Sequence, residues 1–306
     1  MTYSHQHTLS GSHRFEGNGL HTGRYAHMTV LPAPAGTGVR FIRTDIGSGA
    51  VVEALAENVT CTARSTTISS GGVSVSTVEH ILSALSGLGV DNAVIEIDGP
   101  EVPILDGSAL KYAEAFTLGG LTAQDAPRRM IEFEKEIVVT DERSGAFVRI
   151  EPAGRPSIDL TTDFGSRVLG VQTAHWTPET DYGAEIAPCR TFAFFHEIEP
   201  LAGQGLVKGG DIDNAVIVVE HPVSQERVSA LCRTLGVQEM SLTGDGYICR
   251  GGLRFDDECC RHKLLDLIGD LSLCGGPLNA AVTAFKPGHT INTEAARAVR
   301  EALNLK

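Results

Sequence analysis

The chain has 306 residues, which is more than one average domain and predicts two domains of ordinary size. Hydrophobic residues make up 42% and charged residues 21%, as in globular proteins, while a formal net charge of -13 disfavours binding to nucleic acid or anionic membranes. There is no run of 18 apolar residues, no N-terminal signal segment and no C-x-x-C pair among the seven cysteines. We therefore expect a cytoplasmic protein with free thiols and no integral membrane segment.

The first half of the chain predicts short strands followed by two helices. The strands are expected at Ala26–Leu31, Val39–Arg43, Val51–Ala54 and Asp91–Asp98, between Gly- and Pro-rich turns. Apolar residues at helical spacing predict one helix over Ser76–Leu88, which glycines end, and another from Asp106 to Phe116. A polar segment over 122–129 is the best boundary, so we predict domains at residues 1–126 and 127–306.

The second half shows a similar alternation of predicted strands and helices. Strands or extended segments are predicted at Arg129–Thr140, Ala146–Glu151, Ser157–Asp163, Val168–His175, Thr191–Ile198, Asn214–Val219, Tyr247–Arg250 and Leu278–Phe285. Helices are predicted at Glu226–Leu235, Asp257–Leu273 and Thr293–Leu303, with Gly288 and His289 in the loop before the last one. Residues 91–95 and 213–217 both read Asp-Asn-Ala-Val-Ile, which is weak evidence for a duplicated unit.

One predicted helix carries a polar stripe that could bind a metal. His262, Asp266 and Asp270 are four positions apart, and residues at that spacing share one face of a helix. An imidazole and a carboxylate one turn apart can grip a divalent cation, and His80 is the best candidate for a third ligand. Three N or O ligands with an open fourth position are typical of catalytic zinc. The alternative interpretation, a solvated helix face, has about equal weight on spacing alone.

Two further features of this helix need an interpretation. Gly269 is a poor helix former, costing about 1 kcal/mol relative to alanine, and could be tolerated because something approaches its backbone closely. Cys259 and Cys260 lie beside His262, but helix geometry turns them to other faces. We interpret both as packing residues, since free cysteine is often buried.

Glu79, next to His80, also has two interpretations. Ser76 and Glu79 fit a capping box that starts a helix. Alternatively, Glu79 is a general base for a water on the metal, which requires it to lie within hydrogen-bond reach of that water. His289, on its predicted turn, is either simply exposed or an imidazolium that protonates a leaving amine, with Asp270 holding it and raising its pKa.

A set of motifs runs from near the N-terminus to the last helix. They are Gly19–Gly23, Thr77–Leu85, Val102–Ser108, Cys189–Phe192, Gly209–Gly210, residues 213–215, Arg261–Leu271 and Gly288–His289. In this order they resemble the UDP-3-O-acyl-N-acetylglucosamine deacetylases, zinc amidases of lipid A synthesis in Gram-negative bacteria. The resemblance implies an α+β fold of two similar β-α-α-β domains, with the helices sandwiched between the sheets and the active site at the domain interface.

The resemblance also implies the reaction and the site. One zinc per chain would be held by His80, His262 and Asp266, a set that also accepts iron(II). The substrate would be a nucleotide-sugar lipid precursor that loses its N-acetyl group, and the protein a monomer. The implied catalytic residues are Glu79 as the base, His289 as the cationic proton donor, Asp270 as its orienting partner and Thr191 as a hydrogen-bond donor to the intermediate. The implied substrate-binding residues are His21, Phe192, Phe194, Leu206 and Lys263.

An inserted element at about 192–219 would hold the fatty acyl chain in an apolar tunnel. Three segments depart from the family pattern: 220–249 looks longer than usual, 192–195 is more aromatic, and 61–65 lacks an expected Asp-Thr-Arg sequence. None of them includes a proposed metal ligand. Two alternatives stay open, namely a zinc deacetylase of another N-acyl amino sugar and a non-catalytic sensor of nucleotide sugars or acyl chains.

Overall fold

A computed structural model of the chain describes residues 4–47, 50–204, 207–210, 214–242 and 244–304. The strands of the first half are β1 (His5–Leu9), β2 (His13–Asn18), β3 (Tyr25–Pro32), β4 (Val39–Arg43), β5 (Val51–Glu53), β6 (Val59–Cys61), β7 (Thr67–Ser70), β8 (Val73–Val75), β9 (Ala93–Ile97) and β10 (Leu121–Pro127). Its helices are α1 (Glu79–Leu88) and α2 (Leu110–Gly119). Across the described residues, every helix is too short or too polar to cross a lipid bilayer.

The strands of the second half are β11 (Ile137–Asp141), β12 (Ala146–Pro152), β13 (Ser157–Asp163), β14 (Val171–Trp176), β15 (Phe192–Phe194), β16 (Val216–Val218), β17 (Tyr247–Ile248) and β18 (Ala280–Phe285). The helices are α3 (Tyr182–Glu185), α4 (Phe195–Gly203), α5 (Gln225–Leu235), α6 (Glu258–Leu271) and α7 (His289–Ala302). This mixture of helices with largely antiparallel sheets confirms the α+β class.

Two five-stranded sheets have the same topology. The first has the order β2-β3-β9-β4-β5 and the second β11-β12-β18-β13-β14. In each sheet the last strand of the set enters the middle, where it pairs in parallel with the third strand and antiparallel with the second. Apart from the elements inserted before α1 (β6–β8) and before α6 (α3–α5 and β15–β17), each half runs through four sheet strands, a helix, a fifth strand and a second helix, so α1 corresponds to α6 and α2 to α7.

The helices lie between the two sheets. α1 packs on α6, while α2 contacts β2 of the first sheet and α7 contacts β11 and β12 of the second. One continuous hydrophobic core joins the inner faces of both sheets to these helices. Strands β3 and β9 alternate between buried and more exposed positions, as expected for sheets with one face in the core. α1 and α6 are buried on almost every side, so their polar residues are forced into the interior.

Several sequence expectations differ from the structure. Val216 and Ile217 of the repeated sequence lie in β16, which belongs to a three-stranded sheet of order β15-β16-β17, whereas the equivalent of β9 is β18, so the five-residue repeat does not mark equivalent strands. The extended segment expected over Thr191–Ile198 leaves the sheet after three residues and becomes α4. The strand expected from Arg129 begins only at Ile137. The boundary at 126/127 stays a prediction.

Candidate active site

The corresponding helices α1 and α6 meet at the N-terminus of α1. Gly269 of α6 lies so close that a Cβ atom on it would be 2.2 Å from the carbonyl oxygen of Glu79. The expectation that something approaches this glycine closely is therefore confirmed. The contact brings the first turn of α1, with Glu79 and His80, against the polar stripe of α6.

His80, His262 and Asp266 form a compact buried group whose potential ligand atoms all lie within 4.8 Å of one another. Asp266 Oδ1 is 3.3 Å from Nε2 of His262 and 3.9 Å from Nε2 of His80. The Nδ1 of His262 lies 3.0 Å from the carbonyl oxygen of Cys189, which can only accept a hydrogen bond. That contact assigns the proton to Nδ1 and leaves the Nε2 lone pair for the group, as in many metal sites.

The chemistry of this group fits a divalent cation. Burial, and then the neighbouring His262, lower the pKa of His80 to about 3, and burial lowers the pKa of His262, so both imidazoles are neutral ligands at pH 7. Burial alone raises the pKa of Asp266, but His262 and Lys263 outweigh it and keep the carboxylate ionised. Asp266 Oδ2 accepts a hydrogen bond from Lys263 Nζ at 2.6 Å, whereas Oδ1 is buried and has no hydrogen-bond partner among the described residues. A cation at this point satisfies an oxygen that is otherwise costly to bury.

The stripe on α6 is not a solvated face. His262, Asp266 and Asp270 are 2%, 1% and 0% exposed, so that interpretation is wrong. Cys259 and Cys260 are buried as well, as expected of packing residues, and burial raises the pKa of both thiols.

Glu79 does not belong to a capping box. α1 begins at Glu79 with Val78 as its N-cap, while Ser76 lies outside the helix and donates to the carbonyl of Pro100. The Glu79 carboxylate instead turns inwards, where Oε2 accepts a hydrogen bond of 3.0 Å from the backbone N–H of Thr66. Burial raises the pKa of Glu79 to about 7, against the opposing charge of His289. The group can therefore exchange a proton near neutral pH.

His289 is the first residue of α7 rather than part of a loop, and it is largely buried. Its Nδ1 lies 3.0 Å from Asp270 Oδ2, and its Nε2 lies 3.8 Å from Glu79 Oε1 and 3.9 Å from Asp266 Oδ2. Because a carboxylate only accepts, Nδ1 carries a proton, and Nε2 is the nitrogen that titrates. Burial alone lowers the pKa of His289, but Asp270 and Glu79 raise it to about 9, so it is a cation at pH 7.

A cavity of about 260 Å³ opens over this group. Of the residues expected to bind substrate, His21, Phe192 and Lys263 line it, as does the proposed intermediate-binding residue Thr191. The ammonium of Lys263 lies 5.6 Å from the centre of the Phe192 ring. Phe194 is not part of the lining and packs against Phe164 and Phe192 instead. Leu206 lies outside the described residues.

One arm of the cavity is apolar. Its lining residues come from strands β15 and β16, from helices α4 and α5, and from the segment after α4, and they are Ala193, Ile198, Leu201, Val207, Ile217 and Leu235. Two arginines of the site motifs are held by carboxylates, since Arg190 pairs with buried Glu258 and Arg261 with Asp257. Arg64 also lines the cavity, although no sequence pattern pointed to it.

The family model of the UDP-3-O-acyl N-acetylglycosamine deacetylases (LpxC) matches residues 6–231 and 235–301. The chain belongs to this family. A UDP-3-O-acyl-N-acetylglucosamine deacetylase of Teredinibacter turnerae is 39% identical over 296 residues, which is 95% of this chain and 89% of that protein. A protein of the same name from Nostoc is 38% identical and is covered over 98% of its length.

Some relatives are longer and are named as bifunctional enzymes. A bifunctional enzyme LpxC/FabZ of Bacteroides thetaiotaomicron is 41% identical over 300 residues, which is 98% of this chain but 65% of that protein. The chain thus spans less than two thirds of the length of such bifunctional relatives. The family match continues through most of the 220–249 stretch, which we expected to be unusually long, and that stretch supplies Leu235 to the cavity.

Sequence reasoning missed two buried polar residues around the base and the imidazolium. Thr66 and Asn292 are fully buried, and both donate hydrogen bonds to Asp270, at 2.6 and 2.9 Å. Neither lies in a motif with a recognised spacing to the metal group. The signal that could have found Asn292 is its position three residues after His289, on the same side of a helix.

Proposed function

We propose that this protein is a zinc-dependent amide hydrolase that removes the N-acetyl group from UDP-3-O-acyl-N-acetylglucosamine. The observation that carries the proposal is that the buried His80–His262–Asp266 group, buried Glu79 and the largely buried His289, whose side chain is 10% exposed, all line one cavity. A pure binding protein has no need for a buried carboxylate and a buried imidazolium together at a metal group. The names of the family and of the relatives supply the substrate.

Zinc is our choice of metal because two imidazoles and one carboxylate with room for a further ligand are its usual catalytic set, although iron(II) accepts the same ligands. When bound, such a metal acts as a Lewis acid and lowers the pKa of a coordinated water to about 7. Lys263 supports the site by holding Asp266 Oδ2, which directs Oδ1 towards the histidines.

Proton transfer is the task of Glu79 and His289. With one carboxylate oxygen fixed by the backbone of Thr66, Glu79 can accept the proton of the attacking water. His289 keeps its Nδ1 proton on Asp270 and directs Nε2 into the site, where its proton can stabilise the oxyanion and then pass to the leaving amine. Thr191, in the cavity wall, is the proposed further donor to that oxyanion.

The cavity suits a substrate that is polar at one end and apolar at the other. The apolar part of the lining, which includes Leu201, Ile217 and Leu235, offers a place for the 3-O-acyl chain. His21 and Lys263 line the polar end, and the ammonium of Lys263 over Phe192 gives the nucleotide-sugar part a charged and aromatic surface.

The test combines metal analysis with acetate release. Protein purified with zinc is assayed on UDP-3-O-acyl-N-acetylglucosamine and on UDP-N-acetylglucosamine, before and after chelation. We expect one zinc per chain, turnover of the acylated substrate that stops on chelation and returns with zinc, and a much lower kcat/KM without the acyl chain. Equal turnover of the two compounds would contradict the substrate assignment, and turnover that persists after complete metal removal would contradict the metal-dependent mechanism.

A further inference from the structure

The turn between β6 and β7 contacts both Glu79 and His289, the proposed base and proton donor. At its centre Arg64 adopts a left-handed conformation, with φ of 67°, which is uncommon for a residue with a side chain. On one side of the turn, the hydroxyl of Thr62 is 2.8 Å from that of Thr290, the residue after His289. On the other side the chain delivers Thr66 into the interior. The turn is thus tied to α7 at one end and enters the site at the other.

Thr66 touches three members of the proposed machinery. Its backbone N–H donates to Glu79 Oε2 at 3.0 Å, and its hydroxyl donates to Asp270 Oδ1 at 2.6 Å. With the hydroxyl proton used in that way, Thr66 Oγ1 faces the protonated Nδ1 of His289, at 3.3 Å, with a lone pair. One residue therefore contacts the base, the imidazolium and the carboxylate that orients it.

The hydroxyl matters because Asp270 is completely buried. Its Oδ2 accepts from His289 and Asn292, whereas the described residues give Oδ1 one donor, the Thr66 hydroxyl. Without that hydroxyl, a buried carboxylate oxygen loses a charge-assisted hydrogen bond, and rotation of the carboxylate to recover one would pull Oδ2 away from His289.

We propose that Thr66 is a positioning residue, which fixes the placement of Glu79 relative to His289 by holding Glu79 with its backbone and Asp270 with its hydroxyl. The proposal concerns the same site as the proposed function, and its catalytic consequence rests on that function. The placement itself does not, because the three contacts are independent of the substrate. Thr66 touches no proposed metal ligand through these hydrogen bonds, so its effect should fall on turnover and not on metal binding.

Thr66→Val tests this, because valine keeps the shape and the backbone N–H but removes the hydroxyl. We expect kcat on the acylated substrate to fall by about 10- to 100-fold, the loss typical of a hydrogen bond to a charged group, with KM and zinc content unchanged. Thr66→Ser restores the hydroxyl and should recover most of the lost kcat. Thr67→Val, the same change at the next residue, which is half-buried and does not line the cavity, is the matched control.

A second readout needs no substrate. In 15N-labelled zinc-loaded protein, the Nδ1 proton of His289, assigned by its loss in His289→Gln, should give a slowly exchanging signal that Thr66→Val loses and Thr66→Ser keeps. If the wild type releases no acetate but this pattern holds, the proposed function fails and the positioning role stands. If Thr66→Val matches Thr67→Val in both kcat and proton exchange, or loses zinc, the positioning role is wrong.

Discussion

The helices α1 and α6 occupy equivalent places in the two halves, but they build the site in different ways. α6 contributes a stripe of side chains at i, i+4 and i+8, from His262 to Asp270. α1 contributes two adjacent residues, Glu79 and His80, at its N-terminal end. A stripe holds groups in a line along one helix, whereas a helix end can direct neighbouring side chains to different targets.

This difference separates two chemical tasks on α1. His80 faces the metal group, while Glu79 turns to Thr66 and His289. On α6 the same separation takes about one turn of helix, because Asp266 faces the metal group and Asp270, four residues later, faces His289. Substitutions of His262 in the stripe and of Glu79 at the helix end therefore distinguish loss of metal from loss of proton transfer.

The largest loss of activity should come from a substitution in the polar stripe of α6. In His262→Ala, loss of one of three ligands should remove the zinc and reduce acetate release to background, because the remaining imidazole and carboxylate bind a metal weakly. Metal content after dialysis measures this directly. His175→Ala, at an exposed histidine paired with Asp159, is the control. Stoichiometric zinc in His262→Ala would contradict the ligand assignment.

Glu79→Gln should show the opposite pattern at the helix end. Glutamine can still accept the hydrogen bond from Thr66, but it cannot take a proton, so kcat should fall by about 10²- to 10⁴-fold. Zinc content should equal that of the wild type, since Glu79 is not among the three proposed ligands. A variant with unimpaired turnover would rule out Glu79 as the base, whatever its metal content.

The sequence predicted the contribution of α6 to the site more clearly than that of α1. The α6 stripe was visible because its residues recur at the helical period within an apolar segment. Glu79 was ambiguous because Ser-x-x-Glu before an apolar run also fits a capping box, and only the inward turn of its side chain settles which is present.

Contacts between distant segments could not be predicted from local patterns. Thr66 and Asn292 reach Asp270 from 204 and 22 residues away in the chain, and nothing in their own neighbourhoods indicates a site. His289 was expected in a loop because Pro287 and Gly288 precede it, whereas Gly288 is in fact the N-cap of α7. The family resemblance implied the α+β fold class, but the matching strand orders of the two sheets needed the structure.

The pH dependence of turnover follows from residues at two helix ends, Glu79 of α1 and His289 of α7. Glu79 must be ionised to accept a proton, so kcat falls as the pH drops through its pKa, which lies at or below about 7 because a bound cation lowers it further. His289 must be protonated to donate, so kcat also falls as the pH rises through about 9. A profile over pH 5 to 11 should be bell-shaped, with tenfold loss per pH unit on each limb.

His289→Gln sharpens this prediction. Glutamine has no proton to lose in this range, so the alkaline limb should disappear while the plateau falls and the acidic limb stays. If the alkaline limb of the variant matches that of the wild type, another group causes it and His289 is not the donor.

The smallest loss of activity is expected for a substitution at the contact between α1 and α6. Alanine is favoured over glycine within a helix by about 1 kcal/mol, so Gly269→Ala would stabilise an isolated α6. In the protein its Cβ would lie 2.2 Å from the carbonyl oxygen of Glu79, so the helices must separate, and we expect a net loss of about 1–3 kcal/mol in the free energy of unfolding. The shift should also displace Glu79 from Thr66 and lower kcat, but by less than Glu79→Gln does. Gly203→Ala, at the end of α4 where a Cβ meets nothing within 4 Å, is the matched control and should not destabilise. Urea unfolding of both variants decides whether close contact of the equivalent helices, rather than helix propensity, requires glycine at position 269.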